Sequence, residues 1–141
     1  MATAEAKRIA RRYPEEVATE RNLDLIDELL TEDYVEHGPF GRESHGRAED
    51  RAGMDEILTA FPDFEATVED VIAEGDMVAM RVTLRGTHEG EFMGIEPTGR
   101  SFEVQNMLFT RIEDGKIAER WVQPDTLGMF QQLGVVESPT A

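Results

Sequence analysis

The chain has 141 residues, and 30 Asp or Glu against 14 Lys or Arg give a formal net charge of −16. So acidic a chain offers no basic stripe to meet phosphates, which argues against nucleic acid and against anionic membrane surfaces as partners. No cysteine is present, so neither a disulfide framework nor a thiolate zinc site is available.

The length suits a single domain over 1–141, large enough to bury a core. No apolar run approaches membrane-spanning length, and the opening residues M-A-T-A-E-A-K carry no signal-peptide core. A cytoplasmic protein is the expectation. Only two basic residues are lysines, Lys7 and Lys116, and together with the large negative charge this suggests adaptation to a salty cytoplasm.

Ile9, Ala10, Tyr13 and Val17 fall at helical spacing and predict a helix over 4–18, in which Pro14 marks a kink or a first turn. Asn22 is placed to cap a second helix bearing Leu23, Ile26, Leu29 and Leu30. Tyr34 to His37 reads as a short extended piece ending at Gly38-Pro39. A polar loop then runs to about Asp50. Met54, Ile57, Leu58 and Phe61 predict a third helix, stopped by Pro62.

From Phe64 the period changes to two. A strand over 64–73, a turn at Glu74-Gly75-Asp76 and a strand over 77–87 put Val78, Met80, Val82 and Leu84 on one face and Arg81, Thr83 and Arg85 on the other. A glycine-punctuated connection, His88 to Arg100, leads to a long hairpin. Its first strand carries Phe102 to Ile112, its turn is Asp114-Gly115, and its second strand runs from Lys116 until Pro124 removes a ladder donor. Asp125 or Thr126 can cap a short last helix with Leu127, Phe130 and Leu133, and Gly134 stops it. Residues 136–141 read as a flexible tail. Helices first and antiparallel strands afterwards is an α+β order, and about four long strands curled over three N-terminal helices leave a pocket on the concave side.

D-Y-V-E-H (33–37), V-E-D-V-I-A-E-G-D (68–76), G-T-H-E-G-E-F-M-G-I-E-P-T-G-R (86–100), R-I-E-D-G-K-I (111–117) and the closing W-V-Q-P-D-T-L-G-M-F-Q-Q-L-G resemble the SnoaL-like polyketide cyclases. That family is grouped with ketosteroid isomerase and nuclear transport factor two. The resemblance covers nearly the whole chain and implies a cone-shaped curved antiparallel sheet packed on helices. It also implies a homodimer formed through the outer sheet face and cofactor-free acid–base chemistry, an intramolecular aldol closure. The family's acid–base aspartate, three positions before the Asp of a Pro-Asp pair, corresponds to Val122, and a pocket histidine corresponds to Leu108. A polar pocket position corresponds to Asn106.

The candidate catalytic residues are therefore His37 and Asn106. His37 stands where isomerase-like members place a general base, and its imidazole titrates near neutrality. Asn106 can donate an amide hydrogen bond to a developing enolate oxygen. Tyr34, Met54, Leu108, Arg120 and Val122 are expected to line the substrate pocket. Trp121 has the opposite strand parity and reads as outer-face packing. His88 reads as structural, His45 as solvated, Asp125 as a helix cap and the methionines as adaptable core or pocket lining. Three scattered histidines make no metal-site signature. The expected function is cofactor-independent acid–base chemistry on a small hydrophobic carbonyl compound. The alternative is a non-catalytic domain of the same fold that binds a small hydrophobic ligand, favoured by the apolar residues at 108 and 122.

Overall fold

The computed structural model describes residues 2–137. Four of the six positions in the expected tail, 138–141, lie outside them. Helix α1 (Thr3–Arg12) buries Ala6, Ile9 and Ala10, the stripe its spacing predicts. Pro14 falls in the first turn of the segment that follows α1, one of the two roles expected for it. The helix widens there into a π-helical segment over Tyr13–Thr19, with Glu20 N–H donating to Glu15 O at 3.2 Å and Thr19 Oγ1 to Pro14 O at 2.8 Å. A proline lacks the N–H that an ordinary turn would use, and the wider i→i+5 pattern absorbs the mismatch.

Asn22 does not cap a helix through its side chain. Arg21 adopts a left-handed conformation (φ 60°), and a single 3-10 turn, Leu23–Leu25, precedes the short α2 (Ile26–Leu29). The reversal is tied down by the Arg21 guanidinium, which donates to the carbonyls of Thr19, Pro62 and Phe64.

The sheet has six strands among the described residues, more than the four long ones expected, in the order β2-β1-β6-β5-β4-β3. β3 (Glu65–Glu74), β4 (Met77–Thr87), β5 (Ser101–Glu113) and β6 (Lys116–Pro124) form the expected antiparallel series. Asp114 (φ 51°) and Gly115 (φ 76°) both turn left-handed between β5 and β6, the primed geometry that matches strand twist. The additions are β1 (Leu30–His37), parallel to β6, and β2 (Glu43–His45), antiparallel to β1. The extended piece expected over Tyr34–His37 is the second half of β1, in which the charged Glu36 turns inward beside Tyr34. β2 has no apolar residue at all and leaves no such signal.

Helix α3 (Gly46–Ala60) starts a turn earlier than its apolar spacing suggests, and Glu49 accepts from the His45 N–H at 2.9 Å to satisfy its first turn. The 88–100 connection anchors to the end of α3, where Glu89 and Gly90 both donate to Ala60 O. A Cβ on Gly90 would stand 2.6 Å from Thr59 O, so only glycine allows this approach. Phe92 from that connection packs edge-on against Phe61 and Phe40. Helix α4 (Thr126–Leu133) is capped by Asp125, whose Oδ1 accepts from Gly128 N at 2.9 Å, and ends at left-handed Gly134. The result is α+β: a curved, open sheet whose inner face packs on the helices. Met93 and Met107 are exposed rather than core, because 93 lies in the connection and 107 has outward parity on β5.

Candidate active site

Strand register stacks the inner face in rows, three of which border the site. Val78, Thr110, Arg120 and Glu36 pair across four strands in the first. Met80, Leu108 and Val122 form an apolar second row, and Val82, Asn106 and Pro124 a third. α3 crosses above them with Asp50, Met54 and Ile57 facing down. Between helix and sheet lies a cavity of about 150 Å³, lined by parts of all three rows and bordered by Phe40, Arg42 and Glu56.

The charged end of this cavity is closely bonded. Arg120 is buried, its Nη1 donates to Glu36 Oε1 at 3.0 Å, and its guanidinium carbon lies 3.9 Å over the Tyr13 ring. Tyr34 also donates to Glu36 Oε1, at 3.1 Å. Tyr13 donates to Asp50 Oδ2 at 2.7 Å. Asp50 is only 4% exposed. Burial, then repulsion from Glu36, pushes its carboxyl up to about 7, against the opposing pull of Arg120 and the Tyr13 hydroxyl. Burial alone would weaken the proton affinity of Arg120, but Tyr34, Glu36, Tyr13 and Asp50 outweigh it, so the guanidinium stays charged. Burial raises both phenols well above their ordinary value. Arg120 Nε, Thr110 Oγ1 and Asn106 Oδ1 are buried without a hydrogen-bond partner among the described residues.

Met54, Leu108, Val122, Arg120 and Asn106 line the cavity where the sequence placed them. Tyr34 does not reach it, and sits behind Glu36 as that carboxylate's donor. His37 is elsewhere. The inward parity of Tyr34 and Glu36 sends residue 37 to the outer face, where it stacks on Trp121 (ring centroids 5.3 Å). Its Nε2 lies 2.6 Å from Glu119 and its Nδ1 3.2 Å from Glu43, and these bonds, Glu119's first, raise its pKa. The His37 expectation is thus corrected in position: the imidazole does not border the cavity. His88 is buried, with Nδ1 accepting from Thr98 N at 3.2 Å, and exposed His45 lies 2.9 Å from Glu43. Among the described residues no cluster of three or more His, Cys, Asp or Glu has metal-ligand geometry.

Asp50, Glu36 and Tyr13 are the functional candidates that sequence reasoning passed over. Asp50 extends the Met54/Ile57 stripe back by one turn, so continuing the helical wheel past the presumed loop would have put a carboxyl on the buried face. Glu36 follows from Tyr34 by strand alternation. Tyr13 falls at helical spacing with Ile9, Ala10 and Val17, and a phenol buried on such a stripe needs a partner.

A curved open sheet over helices, enclosing a largely apolar cavity with one ionisable end, defines a class of small cone-like α+β proteins. The chain belongs to the SnoaL-like polyketide cyclase family, whose sequence model matches residues 7–133. It is 33% identical over 132 residues to aklanonic acid methyl ester cyclase DnrD of Streptomyces peucetius, covering 89% of this chain and 88% of the relative. The crystal structure of wild-type IdmH from Streptomyces antibioticus superposes with a TM-score of 0.79 at 34% identity, over 92% of this chain and 98% of that one. A SnoaL-like protein from Jannaschia sp. CCS1 reaches 0.87 at 22% identity over 97% and 95% of the two chains, a likeness of fold.

Proposed function

We propose that this chain catalyses cofactor-independent acid–base chemistry, an intramolecular aldol closure, on a small hydrophobic carbonyl compound, with Asp50 as the proton carrier. One observation carries the reading: a carboxyl buried in the cavity wall and titrating near neutrality. Such a group accepts and returns a proton at working pH. As carboxylate, Asp50 takes the proton from carbon beside a ligand carbonyl. The unpartnered Nε–H of Arg120 steadies the enolate oxygen, the oxyanion role that sequence reasoning had given to Asn106. The enolate carbon then forms the new C–C bond at a second carbonyl of the same molecule. The oxygen of that carbonyl receives the proton back from Asp50, so the enzyme is regenerated. Tyr13 holds the carboxyl in place, and Glu36 balances the charge of Arg120. Ring closure is supported by the cyclase activity that names the curated relatives.

The test is hydrogen–deuterium exchange at the carbons flanking the carbonyl of phenylacetone in D2O, followed by NMR. The protein should accelerate exchange, Asp50→Asn should lose at least about 100-fold, and His37→Ala should retain it. Exchange untouched by Asp50→Asn would sink the assignment. Val122 and Leu108 make the middle of the wall dry, and that favours one second reading, a ligand-holding domain. It predicts ligand-induced thermal stabilisation without exchange.

We also propose a second copy of this chain as partner on the outer sheet face. Ile72, Ala79, Phe109 and Trp121 pair in one row there, with Ile72 69% and Phe109 53% exposed. An apolar row of that kind is commonly covered by protein.

A further inference from the structure

Register carries the outer row one strand further than Trp121. Ile72, Ala79, Phe109, Trp121 and His37 pair in turn across β3, β4, β5, β6 and β1, so the imidazole is the polar end of that row. It lies nearly flat on the indole, with an interplanar angle of 16°. Four inter-strand spacings make the row about 19 Å long. The charges beside it are paired within the face: Arg81 with Asp70, Arg85 with Glu103, and Arg111 with Glu119. Nothing there calls for an oppositely charged partner. A second copy brings the same apolar row and the same self-paired rim.

The bonding at His37 fixes which form of the ring fits. Glu119 Oε2 stands 2.6 Å from Nε2, and Glu43 Oε2 stands 3.2 Å from Nδ1. An ionised carboxylate only accepts, and only the imidazolium carries an N–H on both nitrogens. A neutral ring sets a lone pair against one of the two carboxylates. The other charged groups nearby leave that conflict in place. From β5, Arg111 Nε donates to the second oxygen of Glu119 at 3.2 Å, and Glu113 reaches only Arg111, at 4.0 Å, while pairing in register with Lys116. From β2, His45 Nε2 lies 2.9 Å from the second oxygen of Glu43. Imidazolium and Arg111 against Glu43 and Glu119 leave no net charge, whereas a neutral ring leaves one net negative charge. The raised pKa of His37, set first by Glu119, agrees with this.

Covering the row takes this corner partly out of water, where an unbalanced charge is costly. Each copy contributes its own corner, and each already carries a net charge of −16. We propose that His37 is a pH switch for self-association: two copies join through the outer row when the imidazole is protonated and separate when it is neutral. The switch rests on the outer-face dimer proposed above and adds the condition under which that dimer forms.

The experiment is sedimentation velocity of the purified full chain over a concentration series, at pH 6 and pH 9 and one ionic strength. The dimer should be about 10-fold weaker at pH 9. His37→Gln, which carries no proton, should show the weak value at both pH values to within about 3-fold. His37→Arg, a fixed cation that can stack on Trp121, should hold the tight value at pH 9, and it decides the matter alone if the glutamine chain does not fold. A pH dependence that persists in either variant, or association that tightens toward pH 9, would overturn the switch. A dimer indifferent to pH would overturn the switch and leave the dimer standing. A monomer at both pH values would remove the dimer and the switch together.

Discussion

At the scale of single residues, the molecule depends on how it treats one carboxyl. Asp50 is held above its ordinary range by burial and by Glu36, and its folded pKa of about 7 exceeds the value near 4 of an exposed aspartate. The sign follows directly. Between those two values the folded chain binds a proton that the unfolded chain does not, so the stability tied to this group is full below about pH 4 and lost as pH rises through 7. The full span is on the order of 4 kcal/mol. Asp50→Asn cannot ionise and should remove this dependence, so its stability advantage over the unsubstituted chain grows from pH 5 to pH 8. Urea unfolding at the two pH values measures it, and an advantage that shrinks with pH would contradict the assignment. His37 has a raised pKa of its own, so its contribution is likewise present at low pH and lost as pH rises. That slope persists in Asp50→Asn and drops out of the comparison. Its charge partners Glu43 and Glu119 lie on the outer face, away from the cavity.

Between residue and whole chain, the elements that border the cavity are positioned by their ends. Gly38 must be glycine twice over: its φ is +81°, and a Cβ there would stand 2.4 Å from Val122 O. That close approach brings the turn after β1 against β6. Helix α4 supplies Met129 to the cavity wall and buries Leu133, and its eight residues are too few to be stable by propensity. Its start depends on the Asp125 carboxylate. Asp125→Ala should therefore lower stability by about 1 kcal/mol. Equilibrium urea unfolding checks this, and a loss below about 0.3 kcal/mol would show that packing alone holds the helix.

For the molecule as a whole, charge sets the conditions under which the fold persists. With a net charge of −16, long-range repulsion opposes compaction, and screening relieves it as the Debye length falls from about 30 Å in 10 mM salt to about 3 Å in 1 M salt. The melting temperature at fixed protein concentration should therefore rise by several degrees, about 4 °C for each kcal/mol regained. A flat response would mean that the ion pairs on the surface, such as Arg85 with Glu103 and Arg81 with Asp70, already neutralise the repulsion locally. None of the described helices is long and apolar enough to cross a membrane.

Local patterns were sufficient wherever neighbours in sequence also decide the structure. The alternation along β4 and β5, the Asp114-Gly115 turn, the Asp125 cap and the helical stripe of α1 all arise within a few residues. So does the inward facing of Leu108, Arg120 and Val122, since strand parity carries along the chain. Tertiary structure alone decided what depends on partners far away. Glu36 can face inward only because Arg120, 84 positions later, neutralises it. Strand alternation then sends His37 to the outer face, opposite Tyr34 and Glu36. Asp50 owes its proton affinity to desolvation under Tyr13 and to Glu36, and neither can be read from its own segment. Strand and turn formation is set by short-range sterics, whereas the electrostatics of a buried group depend on every charge that folding brings near it.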